Sequence, residues 1–388
     1  MLGAGVFAAV GPAAAAAGSW LLAGLGVAAV VAFANATSSA ELAALYPESG
    51  GTYVYARERL GGYWGFLAGW GFVVGKTASL AAMALTFGTY LYAPLARPLG
   101  VGAVLAVTAV NYRGVEKTAR LATVIVALVL AALAAVVAAS IGGGHATFAN
   151  LTGELPSGVF GVLRSAGFLF FAFAGYARIA TMGEEVRDPQ RTIPRAIPLA
   201  LGIALIVYTL VMGAALLAAG PETLSRAAAP LSAAVEAGRF AAVAPLVRVG
   251  AAVAALGVLL SLMAGVSRTA LSMARRRELP AFLAAVHDRF RTPHRAELAA
   301  AVVVCAVLAA ADVRQAIGFS SFAVLSYYAL ANASALTLSA DERRWPRSLA
   351  AIGVTGCLLL ALTLPLEAVA GGVIVLAAGS AVWFILRR

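Results

Sequence analysis

Two short glycine-containing segments are the places in this sequence where backbone groups could bind a ligand. The first is Gly3-Ala4-Gly5-Val6-Phe7, followed by Gly11-Pro12, and the second runs from Phe170 to Tyr176. Each lies inside an apolar run, and a helix broken within a membrane exposes N–H groups from one half and C=O groups from the other. N–H groups at the positive end of a helix suit a carboxylate, and free carbonyls suit an ammonium. The pattern favours a site for an amino acid, while the alternative is that these glycines only permit close helix packing.

One ionisable residue, Lys76, lies deep inside another apolar run. A charge near the centre of a membrane costs about 2.5–3.5 kcal/mol on insertion scales, so Lys76 is a candidate functional residue. Such a lysine could carry protons or neutralise a vestibule, or it could simply pair with a nearby carbonyl or carboxylate. In a later run, Ser261 and Ser267 could offer oxygens to a sodium ion, although serines in membrane helices more often bond to their own backbone.

Covalent and metal chemistry are not indicated by the remaining residues. The two cysteines lie far apart in apolar runs, and the three histidines lie in polar connecting segments. Metal sites need clustered ligands, so we expect no metal and no cofactor. The sequence contains neither H-E-x-x-H nor G-x-S-x-G, and the predicted apolar runs contain no paired Asp or Glu. An intramembrane enzyme is therefore not expected.

The composition predicts the elements that position these residues. Apolar residues make up 62% of the 388 and charged residues 12%, about half the roughly 25% charge of soluble domains. The mean hydropathy is +0.92. At ~20 apolar residues per span, the sequence predicts a polytopic α-helical membrane protein with about twelve spans. The predicted runs are Met1–Ala17, Ser19–Leu42, Tyr63–Tyr92, Leu99–Val110, Leu121–Ser140, Phe160–Ala177, Ile197–Ala219, Phe240–Ser267, Leu298–Ala311, Gly318–Leu338, Ser348–Leu364 and Ala368–Leu386.

The distribution of basic residues predicts the orientation of these runs. The formal net charge is +11, which in a membrane protein reflects cytoplasmic loops rich in Lys and Arg rather than a nucleic-acid partner. Most of the 28 basic residues fall in alternate connections, beginning with the one that holds Arg57 and Arg59. We therefore predict that both termini are cytoplasmic. The opposite connections hold only Arg97, Arg164, Arg226, Arg239, Arg248 and Arg314.

Five motifs, in order along nearly the whole chain, resemble those of the amino acid–polyamine–organocation (APC) superfamily of permeases. Gly3 to Phe7 resembles its G-A-G-I-F motif, and Glu41 to Tyr55 is similar to its E-L-x-x-x-x-P-x-x-G-G-x-Y-x-Y stretch. Asn111 to Val115 looks like its N-x-x-G-V motif. Phe171 to Gly175, with Glu184-Glu185 and Thr192 to Ile197, is similar to its helix 6 and the exit from it. The segment from Arg268 to Pro293 resembles the region after helix 8.

The resemblance implies a LeuT-like fold with a five-plus-five inverted repeat and two additional C-terminal helices. Residues 1–140 would form the first repeat, 160–338 the second and 346–388 the two further helices. It implies a multi-pass transporter in the cytoplasmic membrane that moves amino acids or related organic cations by proton symport or exchange. Gly3, Ala4 and Gly5 would bind the substrate carboxylate, and the ammonium would meet carbonyls around Phe171, Ala172 and Ala174, in the segment that includes Gly175. Phe171, Phe173 or Tyr176 would supply an aromatic gate, and Glu184 and Glu185 would belong to the cytoplasmic vestibule.

Two departures from the family pattern qualify this expectation. The family's first helix begins well before the Gly-Ala-Gly motif, whereas Met1 stands two residues before it. We therefore expect a first helix without its cytoplasmic half, either because the start of the chain was assigned too late or because the half-helix is genuinely missing. A truncated, inactive permease and a permease-derived scaffold or sensor are accordingly the alternatives to a transporter. The second departure is Arg277-Glu278, where many relatives have Asp-Gly.

Overall fold

The computed structural model describes residues 2–48, 50–114, 119–153, 155–176 and 188–386. Within these ranges the regular structure is α-helix with short 3₁₀ turns, and the described residues contain no β-strand. The predicted all-helical class is therefore confirmed. The predicted vestibule residues Glu184 and Glu185 lie outside the described residues.

The described residues of the first half of the chain form six helices, interrupted at glycines and polar connections. Gly61, with φ 100°, separates the short third helix from the long fourth one. The fourth helix coincides with the predicted run Tyr63–Tyr92, and the short run near Leu99 is the fifth helix. The helices are α1 (Gly5–Ala17), α2 (Leu21–Leu45), α3 (Thr52–Leu60), α4 (Gly62–Tyr92), α5 (Ala96–Tyr112) and α6 (Ala119–Gly142).

The second half forms eight further helices within the described residues. A kink at Gly220, with φ 72°, bends the long eighth helix. Asp312 begins the twelfth helix through a capping box, in which its side chain accepts from the Gln315 N–H; this arrangement satisfies two otherwise free N–H groups. The helices are α7 (Gly158–Phe173), α8 (Pro189–Arg226), α9 (Pro230–Glu236), α10 (Ala244–Arg275), α11 (His294–Ala310), α12 (Val313–Leu336), α13 (Arg347–Thr363) and α14 (Leu366–Leu386).

Seven helical stretches in the described part of the chain are long and apolar enough to cross a membrane. Two of them, Gly5–Leu45 and Gly62–Tyr112, each contain two successive helices. The apolar helices Gly158–Phe173 and Arg347–Thr363 are shorter. Exposed Leu, Ile, Val and Phe side chains are spread over the outer helices, as expected for a surface that faces lipid.

Two groups of helices form the interior. In the first group, α1 and α2 each pack against both α7 and α8. In the second, α4 runs through the centre and contacts α5, α10, α11 and α12. The most apolar stretch of α12 is 78% buried, against 17% for α14. Thus α12 lies in the core and α14 at the periphery. The first residues of α1 are also buried in the interior.

Candidate functional site

The N-terminus of α1 is a buried helix start. Ala4 is fully buried and stands at the N-cap, where its carbonyl accepts the Ala8 N–H at 3.1 Å. Gly3 and Gly5 are half-buried. The first four N–H groups of an α-helix have no acceptor within the helix, and this end carries the positive pole of the helix dipole. The segment therefore offers backbone donors to an anion inside the protein.

The end of α7 offers the complementary groups. The helix ends at Phe173 and continues as a 3₁₀ turn over Ala174–Tyr176. The Ala174 N–H bonds to the Phe170 carbonyl, and the Tyr208 hydroxyl of α8 donates to the Ala172 carbonyl at 3.1 Å. Carbonyls of this last turn are thus available as acceptors, and one already receives a hydroxyl. The side chain of Tyr176, one of the predicted gate residues, lies outside what the structure describes.

These two helix ends meet directly. A Cβ placed on Gly5 would lie 2.7 Å from the Ala172 Cα and 3.1 Å from its Cβ. A side chain at Gly5 would therefore overlap the backbone of α7. The structure brings together Gly5 of the first predicted segment and Ala172 of the second, which lie far apart in the sequence.

Three tyrosines surround this contact, each from a different helix. Phe7 packs edge-on against Tyr90 of α4, with ring centroids 5.7 Å apart, and the Tyr90 hydroxyl donates to the Phe7 carbonyl at 3.0 Å. Phe170 packs against Tyr328 of α12 at 5.8 Å and Phe173 against Tyr208 at 5.3 Å. The sequence reasoning named none of these tyrosines, because no local pattern links them to the two glycine segments.

A cavity of about 250 Å³ lies beside α1 and is bordered by residues between Phe7 and Pro12. Phe7, Gly11 and Pro12 line it on one side, with Pro230 of α9 and Asp312 at the start of α12 opposite. A larger, mainly apolar cavity of about 660 Å³ lies between α4, α11 and α12, lined by residues such as Val303 and Phe319. The first cavity borders Phe7 and Tyr90, the ring pair that packs beside the contact between α1 and α7.

Comparison with known proteins places the chain in a family. A sequence profile described as "Amino acid permease" matches residues 1–386. The chain belongs to the amino acid permease family. An uncharacterised transporter of Mycobacterium tuberculosis (strain H37Rv) is 61% identical over 387 residues, covering 100% of this chain and 88% of the relative.

More distant relatives have named substrates. A methylthioribose transporter of Bacillus subtilis (strain 168) is 30% identical over 299 residues, 71% of this chain and 63% of the relative. A branched-chain amino acid permease of the same strain is 24% identical over 424 residues, 100% of this chain and 90% of the relative. The resemblance inferred from the motifs is therefore confirmed. The chain is a multi-pass membrane protein and a transporter, not an enzyme.

Lys76 lies inside the permease core with its side chain only 4% exposed. One turn before it, the Phe72 ring contacts Tyr327 of α12 at 5.6 Å. One turn after it, the Ser79 hydroxyl lies 2.6 Å from that of Ser320. Within the described part of the chain, neither a hydrogen bond nor a salt bridge is made by the Lys76 ammonium. The pairing that sequence reasoning offered as the alternative is not present there.

A polar cluster at the α3 side of the permease involves the longest predicted motif. Glu278, in the connection after α10, accepts the Tyr53 hydroxyl at 2.6 Å and forms a salt bridge with Arg57 of α3. Burial, followed by the hydrogen bond to Glu278, raises the pKa of Tyr53. The departure Arg277-Glu278 thus supplies the carboxylate that holds α3 against α10.

Two further carboxylates fix the connection between α12 and α13, which contains Glu342, to α2 and α3. Glu342 forms a salt bridge with Arg59, and the hydrogen bond from Arg59 lowers the Glu342 pKa from 4.5 to about 2. Glu41, near the end of α2, accepts the backbone N–H groups of Arg344 and Trp345 at 2.6 and 2.7 Å. The Glu41–Tyr55 motif is therefore hydrogen-bonded to the segments that follow α10 and α12. Arg57 and Arg59, just beyond the motif, form salt bridges with the same two segments.

The serines considered for sodium adopt a different arrangement. The Ser267 hydroxyl donates to the Ala264 carbonyl of its own helix at 3.2 Å and lies 3.5 Å from the Glu297 carboxylate of α11. The backbone bond is the alternative that sequence reasoning considered more common. Glu297 lies just outside the predicted run Leu298–Ala311 but inside the helix, because α11 begins at His294 rather than at Leu298. Its carboxylate is buried at 2% exposure.

Proposed function

We propose that this permease is a secondary transporter that moves amino acids or related organic cations across the cytoplasmic membrane by alternating access. The observation that carries the proposal is the direct contact between the N-terminus of α1 and the last turn of α7 at Gly5 and Ala172. This contact brings donors for a carboxylate beside acceptors for an ammonium. The proposed substrate-binding residues are Gly3, Ala4, Gly5, Phe171, Ala172, Phe173, Ala174, Gly175 and Tyr176.

We further propose a five-plus-five inverted repeat, with residues 1–140 and 160–338 as the repeats and 346–388 as two additional helices. The packing of the helices supports it. We let α1, α2, α4, α5 and α6 correspond, in that order, to α7, α8, α10, α11 and α12. Four contacts between the two repeats then have counterparts in which each helix is replaced by its equivalent from the other repeat. The pairs α1–α8, α6–α10, α5–α10 and α6–α8 have the counterparts α2–α7, α4–α12, α4–α11 and α2–α12. The proposal includes twelve membrane-spanning helices, and the basic connections support a cytoplasmic position for both termini.

Uptake by the purified protein in liposomes tests the function. We expect liposomes loaded with an unlabelled amino acid to accumulate the same labelled amino acid by exchange. Liposomes without protein provide the background. If a panel covering neutral, cationic and acidic amino acids and polyamines gives neither uptake nor exchange, the transporter proposal is wrong and the scaffold or inactive permease is favoured.

Proton coupling through Lys76 is part of the proposal, because an ionisable side chain buried within a membrane-spanning helix is a candidate proton carrier. We expect wild-type uptake to rise as the external pH is lowered, and Lys76→Ala to lose this dependence. Initial rates across a pH series measure the effect. Lys76→Arg is the matched control: it keeps the charge but does not deprotonate, so its rate should also be independent of pH. A wild-type pH profile in Lys76→Ala would refute coupling through this residue.

We propose that the Tyr208 hydroxyl donates to the Ala172 carbonyl in the protein without substrate. When substrate binds, its ammonium can use the same carbonyl as an acceptor. In Tyr208→Phe this buried carbonyl loses its donor, which costs about 1–3 kcal/mol in the empty protein. Because a bound ammonium restores a partner, we expect lower thermal stability without substrate and up to about tenfold tighter substrate binding. Isothermal titration and melting curves measure both. Tyr63→Phe, which removes a hydroxyl 2.9 Å from Ser380, should leave binding unchanged, and weaker binding by Tyr208→Phe would contradict the assignment.

A further inference from the structure

Resting on the transport function proposed above, we infer that the permease accepts amino acids with uncharged, apolar side chains. Cationic side chains and polyamines are excluded, and the Lys76 ammonium provides the exclusion. The backbone groups at the two helix ends would bind the carboxylate and the ammonium that all amino acids share. They therefore leave the side chain of the substrate open, and the inference specifies it.

Among the residues that the structure describes, the buried carboxylates that could neutralise a cationic side chain lie at helix ends. Within the described residues, the buried carboxylates are those of Glu41, Glu278 and Glu297. Glu41 lies in the last turns of α2 and accepts two backbone N–H groups, and Glu278 lies beyond the end of α10 and binds Arg57 and Tyr53. Glu297 lies in the first turn of α11, facing Ser267 of α10. All three stand at helix ends rather than beside the contact between α1 and α7.

The one buried lysine among the described residues, in contrast, lies in the middle of its helix. Lys76 sits between Phe72 and Ser79, and both of these contact α12. The neighbouring Tyr328 of α12 contacts Phe170, in the last turn of α7. Ring contacts through α12 therefore link the turn of α4 before Lys76 to the last turn of α7. At an effective dielectric of about 20, two like charges that approach to about 10 Å repel enough to weaken binding roughly tenfold.

The side chains around the contact suit an apolar group. The rings of Phe7, Phe170 and Phe173 are buried, each against a tyrosine of another helix. Buried aromatic surface stabilises an apolar side chain by removing its surface from water, and it offers a carboxylate no counter-charge. Aromatic faces can also attract cations, so the balance between these rings and Lys76 is what an experiment must measure.

The decisive comparison is between L-norleucine and L-lysine, which have side chains of similar length and differ in the terminal ammonium. We expect the purified protein in liposomes to exchange labelled norleucine at least about tenfold faster than labelled lysine. Arginine and putrescine should be as slow as lysine. Lysine or putrescine transport at the norleucine rate would overturn the inference.

Variants at position 76 test whether the charge itself excludes cations. Lys76→Met keeps a long apolar stem without the charge, and we expect the norleucine-to-lysine rate ratio to fall severalfold toward unity. Lys76→Arg keeps the charge and should keep the ratio, although neither variant should show proton coupling. An unchanged ratio in Lys76→Met would remove Lys76 as the excluding charge. If Lys76→Met does not fold, competition of each compound against norleucine in the wild type still decides the substrate class.

Failure of this inference and failure of the proposed function give different results. Transport of cationic compounds in preference to norleucine contradicts the inference while supporting a transporter. Transport of no compound in the panel contradicts the proposed function itself.

Discussion

Gly5→Ala is expected to reduce amino acid uptake by more than about tenfold. The added Cβ would lie 2.7 Å from the Ala172 Cα. Since that atom belongs to the backbone of α7, the two helix ends must separate. Overpacking of this kind costs about 1–3 kcal/mol, and the displacement moves the donors of α1 away from the acceptors of α7. Initial uptake rates at equal amounts of reconstituted protein measure the effect.

Gly202→Ala is the matched control for this substitution. Gly202 is also helical, in α8, and a Cβ there meets nothing within 4 Å. We expect wild-type uptake and a small gain in stability, because alanine favours helix by up to about 1 kcal/mol over glycine. Wild-type uptake by a stably folded Gly5→Ala protein would show that the contact between α1 and α7 is not needed for transport.

Removing the Glu278 carboxylate is expected to have the largest effect on stability. Glu278→Gln leaves the Arg57 guanidinium without its partner in a site where the two side chains are only 17% and 8% exposed. Loss of one partner of a buried ion pair costs about 3–5 kcal/mol, and the partial exposure of Arg57 places the expected loss near the lower value. Chemical denaturation in detergent micelles measures the free energy of unfolding.

A double-mutant cycle separates the pair from its surroundings. Combining Glu278→Gln with Arg57→Met should cost less than the sum of the single substitutions, because no charge is left unpaired. The exposed pair Arg248–Glu236, at 2.7 Å with side chains 47% and 43% exposed, is the control. Glu236→Gln should change stability by less than about 1 kcal/mol. Equal losses at Glu278 and Glu236 would contradict the role given to the α3 cluster.

The longer apolar helices were predictable from the sequence, because each apolar run is bounded by glycine, proline or charged residues. The short helices α3 and α9 lie outside the twelve predicted runs. The run Tyr63–Tyr92 and the helix Gly62–Tyr92 differ by one residue at the start. The start of α11 was not predictable in the same way. Glu297 and Arg295 look like the end of a polar loop, but the first turn of α11 buries the Glu297 carboxylate against α10.

The sequence predicted the two backbone segments of the candidate site, but it did not predict the side chains that surround them. Glycine at position 5 and the segment around Ala172 stand out because glycine and aromatic residues interrupt apolar runs. Tyr90, Tyr208 and Tyr328 come from three other helices, and their approach depends on how those helices cross. Glu278 was visible as a departure from the family motif, yet its partners Tyr53 and Arg57 are more than 200 positions away in the sequence. Pairings of that range require the fold.

The structure of the protein in lipid nanodiscs with a bound, transported amino acid tests the central claim most directly. We predict that the ligand carboxylate lies within about 3.5 Å of N–H groups between Gly3 and Gly5, and that its ammonium lies beside the carbonyls of the last turn of α7, around Ala172. A ligand bound elsewhere, such as in the apolar cavity lined by Val303 and Phe319, with the contact between Gly5 and Ala172 unchanged, would contradict the account.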